Sequence, residues 1–140
     1  MASEVFIDTS GFYSLLVRDD DRHGQAGKIM RSAGEHKRRF VTSDYVVDET
    51  ATLLQARALM KLIPLFFDSV FTSSACRLIW MDGDRFHRTR AMFLRNLGRG
   101  WSFTDCASFV IMKELRIREA LTKDAHFESA GFVPLLSGSR

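Results

Sequence analysis

The sequence is poor in the features that staple, anchor or loosen a chain. It has two cysteines, Cys76 and Cys106, far apart and outside any C-x-x-C. A disulfide framework is therefore not its source of stability, and the thiols read as reduced, in a cytoplasmic protein. Its two prolines, Pro64 and Pro134, lie in no linker-like stretch, and neither an internal repeat nor a low-complexity run marks a domain boundary. Long apolar runs are missing too. The longest stretch free of Asp, Glu, Lys and Arg is Ser129 to Ser139, well short of the roughly 20 apolar residues that span a membrane. Met1-Ala2-Ser3-Glu4 offers no basic segment followed by an apolar one, so no secretory signal is expected. No G-x-G-x-x-G follows a strand and no G-x-x-x-x-G-K-[ST] occurs, which argues against dinucleotide and P-loop chemistry. Charge of one sign is lacking as well. Twenty Lys+Arg face 17 Asp+Glu for a net of +3, which permits a nucleic-acid partner without requiring one.

What remains is ordinary globular composition. The 140 residues are 46% hydrophobic and 26% charged, which argues against disorder and fits one domain over residues 1–136, with Ser137–Arg140 as a flexible tail. Val5-Phe6-Ile7, Arg39 to Thr42, Cys76 to Trp80, Ala120 to Thr122 and Phe132 to Leu136 read as short strands. Between them lie helical segments: Gly11–Val17, His23–Ala33, Tyr45 to about Leu59 with Asp44 as its cap, Pro64–Phe71, Asp84–Leu97 ended by Gly98, Asp105–Leu115 capped by Thr104, and Ala125–Ala130. Strands alternating with helices predict an α/β class built on a parallel sheet. Sites in such sheets form outside the carboxyl ends of the strands.

Acids collect at those ends. Asp8 follows the first strand and Asp124 the fourth. Asp105 opens an otherwise nearly all-apolar helix, and Asp48 and Glu49 lie one turn into the helix after the second strand. Taken singly, an Asp at a helix start is as easily a cap as a ligand. Taken together, carboxylates on one rim repel unless a cation sits among them. A cluster of hard oxygens suits Mg²⁺ or Mn²⁺.

The stretches Val5-Phe6-Ile7-Asp8-Thr9-Ser10, Val47-Asp48-Glu49-Thr50, Phe103-Thr104-Asp105-Cys106 and Leu121-Thr122-Lys123-Asp124-Ala125-His126-Phe127 resemble the PIN domain family in order and spacing. The likeness is greatest to the VapC-like branch, the toxins of type II toxin–antitoxin pairs. It implies a three-layer α/β/α domain with a central five-stranded parallel sheet. It also implies a Mg²⁺- or Mn²⁺-dependent endoribonuclease held in check by an antitoxin. Its four acids fall on Asp8, Glu49, Asp105 and Asp124. Asp8, Asp105 and Asp124 would hold metal, and Glu49 would bind through water or position the attacking one. Thr9, Ser10 and Thr104 would support that shell by hydrogen bonding. The apolar cluster from Met60 to Phe67 is core by default. In that branch, however, the region helps form an antitoxin groove and a homodimer contact.

Gly83–Gly100 holds five arginines against the single acid Asp84. On a helical wheel Arg85, Arg88 and Arg95 share one face as RNA-contact candidates. Phe86, Phe93, Leu94 and Leu97 then form the core-facing stripe. Arg31–Arg39 is a weaker basic segment. The four histidines show no ligand spacing, and His126 reads as non-catalytic. Cys106 lacks an evident His partner and reads as a buried thiol. Two rival functions stay open: a PIN-like module that binds RNA or a partner without cutting, and an aspartyl-phosphate enzyme using Asp8. The second is weakened because Ser10 stands where that class wants another acid.

Overall fold

The computed structural model describes residues 3–136. Five strands, β1 (Glu4–Ile7), β2 (Arg39–Ser43), β3 (Cys76–Ile79), β4 (Glu119–Leu121) and β5 (Val133–Pro134), form one sheet in the order β3-β2-β1-β4-β5. Every pairing is parallel. Seven helices flank it: α1 (Thr9–Leu16), α2 (His23–Glu35), α3 (Asp44–Ala56), α4 (Leu62–Phe71), α5 (Gly83–Arg95), α6 (Phe103–Leu115) and α7 (Ala125–Ser129). The architecture is the α/β/α sandwich that the family resemblance implied. The tail Ser137–Arg140 lies outside the described residues.

The strands are short and apolar because helices cover both faces. Val5, Phe6 and Ile7 are all buried. Helices α1 to α4 connect β1, β2 and β3, and α5 to α7 connect β3, β4 and β5. Accordingly α1 packs on α2, α3 and α4, while α6 packs on α5 and α7. Residues Asp105 to Met112 of α6 are buried without interruption, so this helix is apolar on nearly every side between the sheet and α5.

The strand order reverses at the first strand. From β1 the chain steps outward to β2 and β3, then returns to the other side of β1 with β4. The crevice between the carboxyl ends of β1 and β4 is therefore the topological switch point, where doubly wound sheets bind ligands. Gly11 lets α1 sit close over that edge. A Cβ there would lie 2.0 Å from the Leu121 carbonyl oxygen and 2.9 Å from its carbon, both backbone atoms.

Four local expectations are corrected. Ser43, not Asp44, caps α3, accepting the Val46 amide at 3.2 Å. Asp44 instead accepts the Met81 amide at 3.0 Å, tying α3 to the end of β3. Ser102, not Thr104, caps α6. Of the apolar stripe expected on α5, only Phe93 packs against the core. Phe86, Leu94 and Leu97 are 39%, 55% and 62% exposed, whereas Thr89 and Met92 are buried. On the packed side Arg85 crosses to α6 and grips Glu114 through two donors, at 3.0 and 2.7 Å. β5 is also shorter than the predicted Phe132–Leu136, although the Leu135 and Leu136 amides still bond to Ala120 and Thr122.

Candidate active site

Asp8 leaves β1 and enters α1 as its N-cap residue in an extended conformation, but its side chain makes no capping bond. The backbone does the anchoring. The Asp8 amide donates to the Leu121 carbonyl at 3.2 Å, and its carbonyl accepts from Gly11 and Phe12. The carboxylate is left to face the crevice. Its Oδ2 accepts the Thr122 hydroxyl at 3.0 Å and the Ser10 hydroxyl at 3.4 Å. Thr122 also accepts the Asp124 amide at 3.0 Å, so one buried hydroxyl joins the first and fourth acids. Ser10 accepts the Lys123 amide at 3.0 Å, which fixes the same loop from the other side.

Asp105 has two duties. It is the third residue of α6 and completes a capping box with Ser102. The Ser102 side chain accepts the Asp105 amide at 3.0 Å, and Asp105 Oδ2 accepts the Ser102 amide at 3.0 Å. The same Oδ2 lies 3.0 Å from His126 Nδ1. Asp124 caps the short α7 through the His126 amide at 2.9 Å, and His126 Nδ1 is 3.5 Å from its Oδ1. Ligand atoms of Asp105, Asp124 and His126 all fall within 4.8 Å of one another.

Glu49 arrives from α3, which also touches α6. The Thr9 hydroxyl donates to Glu49 Oε1 at 2.6 Å and accepts from Thr50 at 3.2 Å. The ambiguity between Asp48 and Glu49 is resolved by direction. Glu49 lines the cavity with Asp8, Asp105 and Asp124, and Asp48 does not. This cavity holds about 540 Å³.

Its electrostatics are unfavourable to the protein alone. Burial pushes the Asp8 carboxyl from its ordinary 3.8 up to about 7; hydrogen bonds from the Thr9 backbone and from Thr122 pull it back, and the nearby Glu49 and Asp105 raise it further. Buried carboxylates crowded in this way favour a proton or a cation between them. The donors are carboxylate oxygens with one imidazole in reach, a set that fits Mg²⁺ or Mn²⁺.

Thr9 thus donates to Glu49 and Ser10 to Asp8. Thr104 is differently engaged: its carbonyl accepts the Ser108 hydroxyl at 3.1 Å, and it does not line the cavity. The arginine candidates are elsewhere as well. Arg85 pairs with Glu114 and Asp82, and Arg88 pairs with Asp84 and Glu114. Arg95 lines a separate shallow groove with Arg88, Lys113 and Glu114. His126, read from the sequence as non-catalytic, stands beside Asp105 and Asp124, and Tyr13 and Arg57, which the sequence did not single out, also line the cavity. Only His126 carried a signal, its place two residues after Asp124. Cys106 is buried and unpaired, as expected of a structural thiol.

The PIN domain model matches residues 5–133. The chain belongs to the PIN domain family. Over 129 residues this PIN domain is 30% identical to the 23S rRNA-specific endonuclease VapC20 of Mycobacterium tuberculosis, covering 92% of this chain and 95% of that protein. It is also 30% identical to a VapC ribonuclease of Archaeoglobus fulgidus over 124 residues, 86% of this chain and 77% of the relative. The crystal structure of Mycobacterium tuberculosis VapC20, described as a sarcin-ricin loop cleaving toxin, superposes with a TM-score of 0.84 at 29% identity, covering 92% of this PIN domain and 96% of that chain.

Proposed function

We propose that this protein is a VapC-like endoribonuclease that hydrolyses RNA phosphodiesters at a Mg²⁺- or Mn²⁺-dependent site. One observation carries the reading: four carboxylates from four separate segments, Asp8, Glu49, Asp105 and Asp124, line a single cavity, one of them buried and held far above its usual proton affinity. Asp8, Asp105 and Asp124 would hold the ion. Such an ion lowers the pKa of a bound water and draws charge from the phosphate oxygen. The chain's own work is preorganisation. Thr122 and Ser10 fix Asp8, Ser102 and His126 fix Asp105, and the α7 backbone fixes Asp124. Glu49, steadied by Thr9, orients the attacking water. Thr104 would then support α6 rather than the ion.

An antitoxin partner, a cytoplasmic setting and a homodimer, which the family resemblance implies, are parts of this proposal. The apolar surface of α4 is consistent with protein docking, since Leu65 and Phe71 are 57% and 54% exposed. Among the described residues, no helix is long and apolar enough to cross a membrane. Arg95 retains its suggested RNA role, whereas Arg85 and Arg88 would have to leave carboxylate partners to take one. The test is RNA cleavage with Mg²⁺, Mn²⁺ or EDTA, using the wild type, Asp8→Asn and Asp105→Asn. Metal-dependent cleavage lost in both variants is expected. Cleavage that survives chelation or either substitution refutes the metal-nuclease reading. Metal binding without cleavage of any RNA would favour the binding module.

A further inference from the structure

Arg57 stands out on the wall of the acidic cavity. It is the C-cap residue of α3, and with Glu49 and Leu53 it forms a row four residues apart along one face of that helix. All three line the cavity. At 1.5 Å per residue the row extends roughly 12 Å from Glu49. The guanidinium turns toward α1. Its Nη1 donates to the Tyr13 hydroxyl at 3.1 Å, and its Cζ lies 5.2 Å from the Tyr13 ring centroid. Among the described residues no carboxylate pairs with it. The other cation of the wall, Lys123, is neutralised by Asp20 and Asp21 at 3.0 and 3.2 Å. A cation at a helix C-terminus is favoured by the dipole, which explains why it is tolerated there. It does not explain a fork braced by an aromatic ring over the cavity, with donors to spare. Such a fork matches an anion bidentately.

We infer that Arg57, braced by Tyr13, grips a backbone phosphate of the RNA strand next to the one cut, making it a positioning residue for substrate. This rests on the nuclease reading. It also gives the cavity a polarity: the acids would hold the cation that receives the reacting phosphate at one end, and an uncompensated guanidinium holds a neighbouring phosphate at the other.

The experiment uses the full chain carrying Asp8→Asn to suppress cleavage. Fluorescence anisotropy measures binding to a labelled unstructured oligoribonucleotide and to a labelled RNA hairpin over a series of salt concentrations. Adding Arg57→Ala should weaken binding about tenfold at low salt. It should also lower the slope of log affinity against log salt by about 0.7, the loss of one single-strand phosphate contact. Arg57→Lys should restore the slope, and Tyr13→Phe should weaken binding less than Arg57→Ala. In the otherwise wild-type chain, Mn²⁺ affinity measured by calorimetry should be unchanged by Arg57→Ala. Unchanged RNA affinity and slope in Arg57→Ala would overturn the assignment while leaving the nuclease reading intact. Joint loss of RNA and Mn²⁺ affinity would overturn it too, showing that Arg57 merely supports the fold of the site. If the Asp8→Asn chain binds neither RNA at any salt, the Arg57 assignment falls, while the nuclease reading is decided separately by the metal-dependent cleavage of the wild type.

Discussion

Replacing Asp8 with Asn should make the metal-free protein more stable, although it should abolish activity. The rise from 3.8 to about 7, at about 1.36 kcal/mol per unit, sets the cost of a charged Asp8 in the folded, metal-free chain at up to about 4 kcal/mol. The sign follows from where protons reside. Below about pH 4 the carboxyl is neutral whether folded or unfolded, so it costs nothing. Between about pH 4 and 7 the unfolded chain releases a proton that the folded chain keeps, so stability falls as pH rises. Above about 7 the full cost is present. Asn cannot ionise, and its amide oxygen still accepts the Thr122 hydroxyl that Asp8 accepts at 3.0 Å. In EDTA at pH 8, urea unfolding should show Asp8→Asn more stable by up to about 4 kcal/mol, or roughly 10 °C in Tm. The gain should shrink to under about 1 kcal/mol at pH 4. A variant no more stable than wild type at pH 8, or equally more stable at both pH values, would refute the reasoning.

The remaining predictions concern the ion and its supports. Mn²⁺ at about a hundredfold above its Kd should stabilise the wild type by about 2.7 kcal/mol in a thermal shift assay, and most of that should vanish in Asp105→Asn. A wild type indifferent to Mn²⁺ would contradict the site. Gly11→Ala should cost about 3 kcal/mol or more in urea unfolding, since its Cβ meets the Leu121 backbone at 2.0 Å. An ordinary helix-propensity gain there would show that α1 does not sit where described. Ser102→Ala should cost about 1 kcal/mol by loss of the α6 cap, and should weaken Mn²⁺ binding in calorimetry because Asp105 loses its brace. Unaltered Mn²⁺ affinity would separate the cap from the site.

The sheet and the positions of Asp8, Asp105 and Asp124 were legible because each lies beside an abrupt change from apolar strand or loop to helix. What stayed hidden depended on orientation between elements. Asp48 and Glu49 are neighbours in sequence, and only the angle of α3 decides which one reaches Thr9. Thr104 and Ser102 are equally good caps in isolation. The helix begins at Phe103, and that makes Ser102 the cap. The α5 stripe misled because the face that meets α6 is set by the partner helix, which buries Thr89 and Met92 and pairs Arg85 with Glu114. Local crowding of arginines pointed to a face whose charges Glu114, Asp82 and Asp84 largely compensate. Arg57 is a single basic residue at the end of a helix, and nothing nearby in sequence distinguishes it. The roles of Thr122 and Ser10 follow from the β1–β4 pairing, which no local pattern reports.

That pairing also bears on when the site can exist. β1 begins at Glu4, yet its neighbour β4 begins only at Glu119, and Asp124 follows later still. A nascent chain still lacking β4 has neither the Thr122 hydroxyl that holds Asp8 nor the fourth carboxylate. The closing contacts join residues more than a hundred positions apart, so they are among the most non-local of the fold. A polypeptide therefore carries no assembled acidic centre until the segment from Glu119 to Asp124 is present. The four carboxylates become neighbours only when that segment docks beside the first strand.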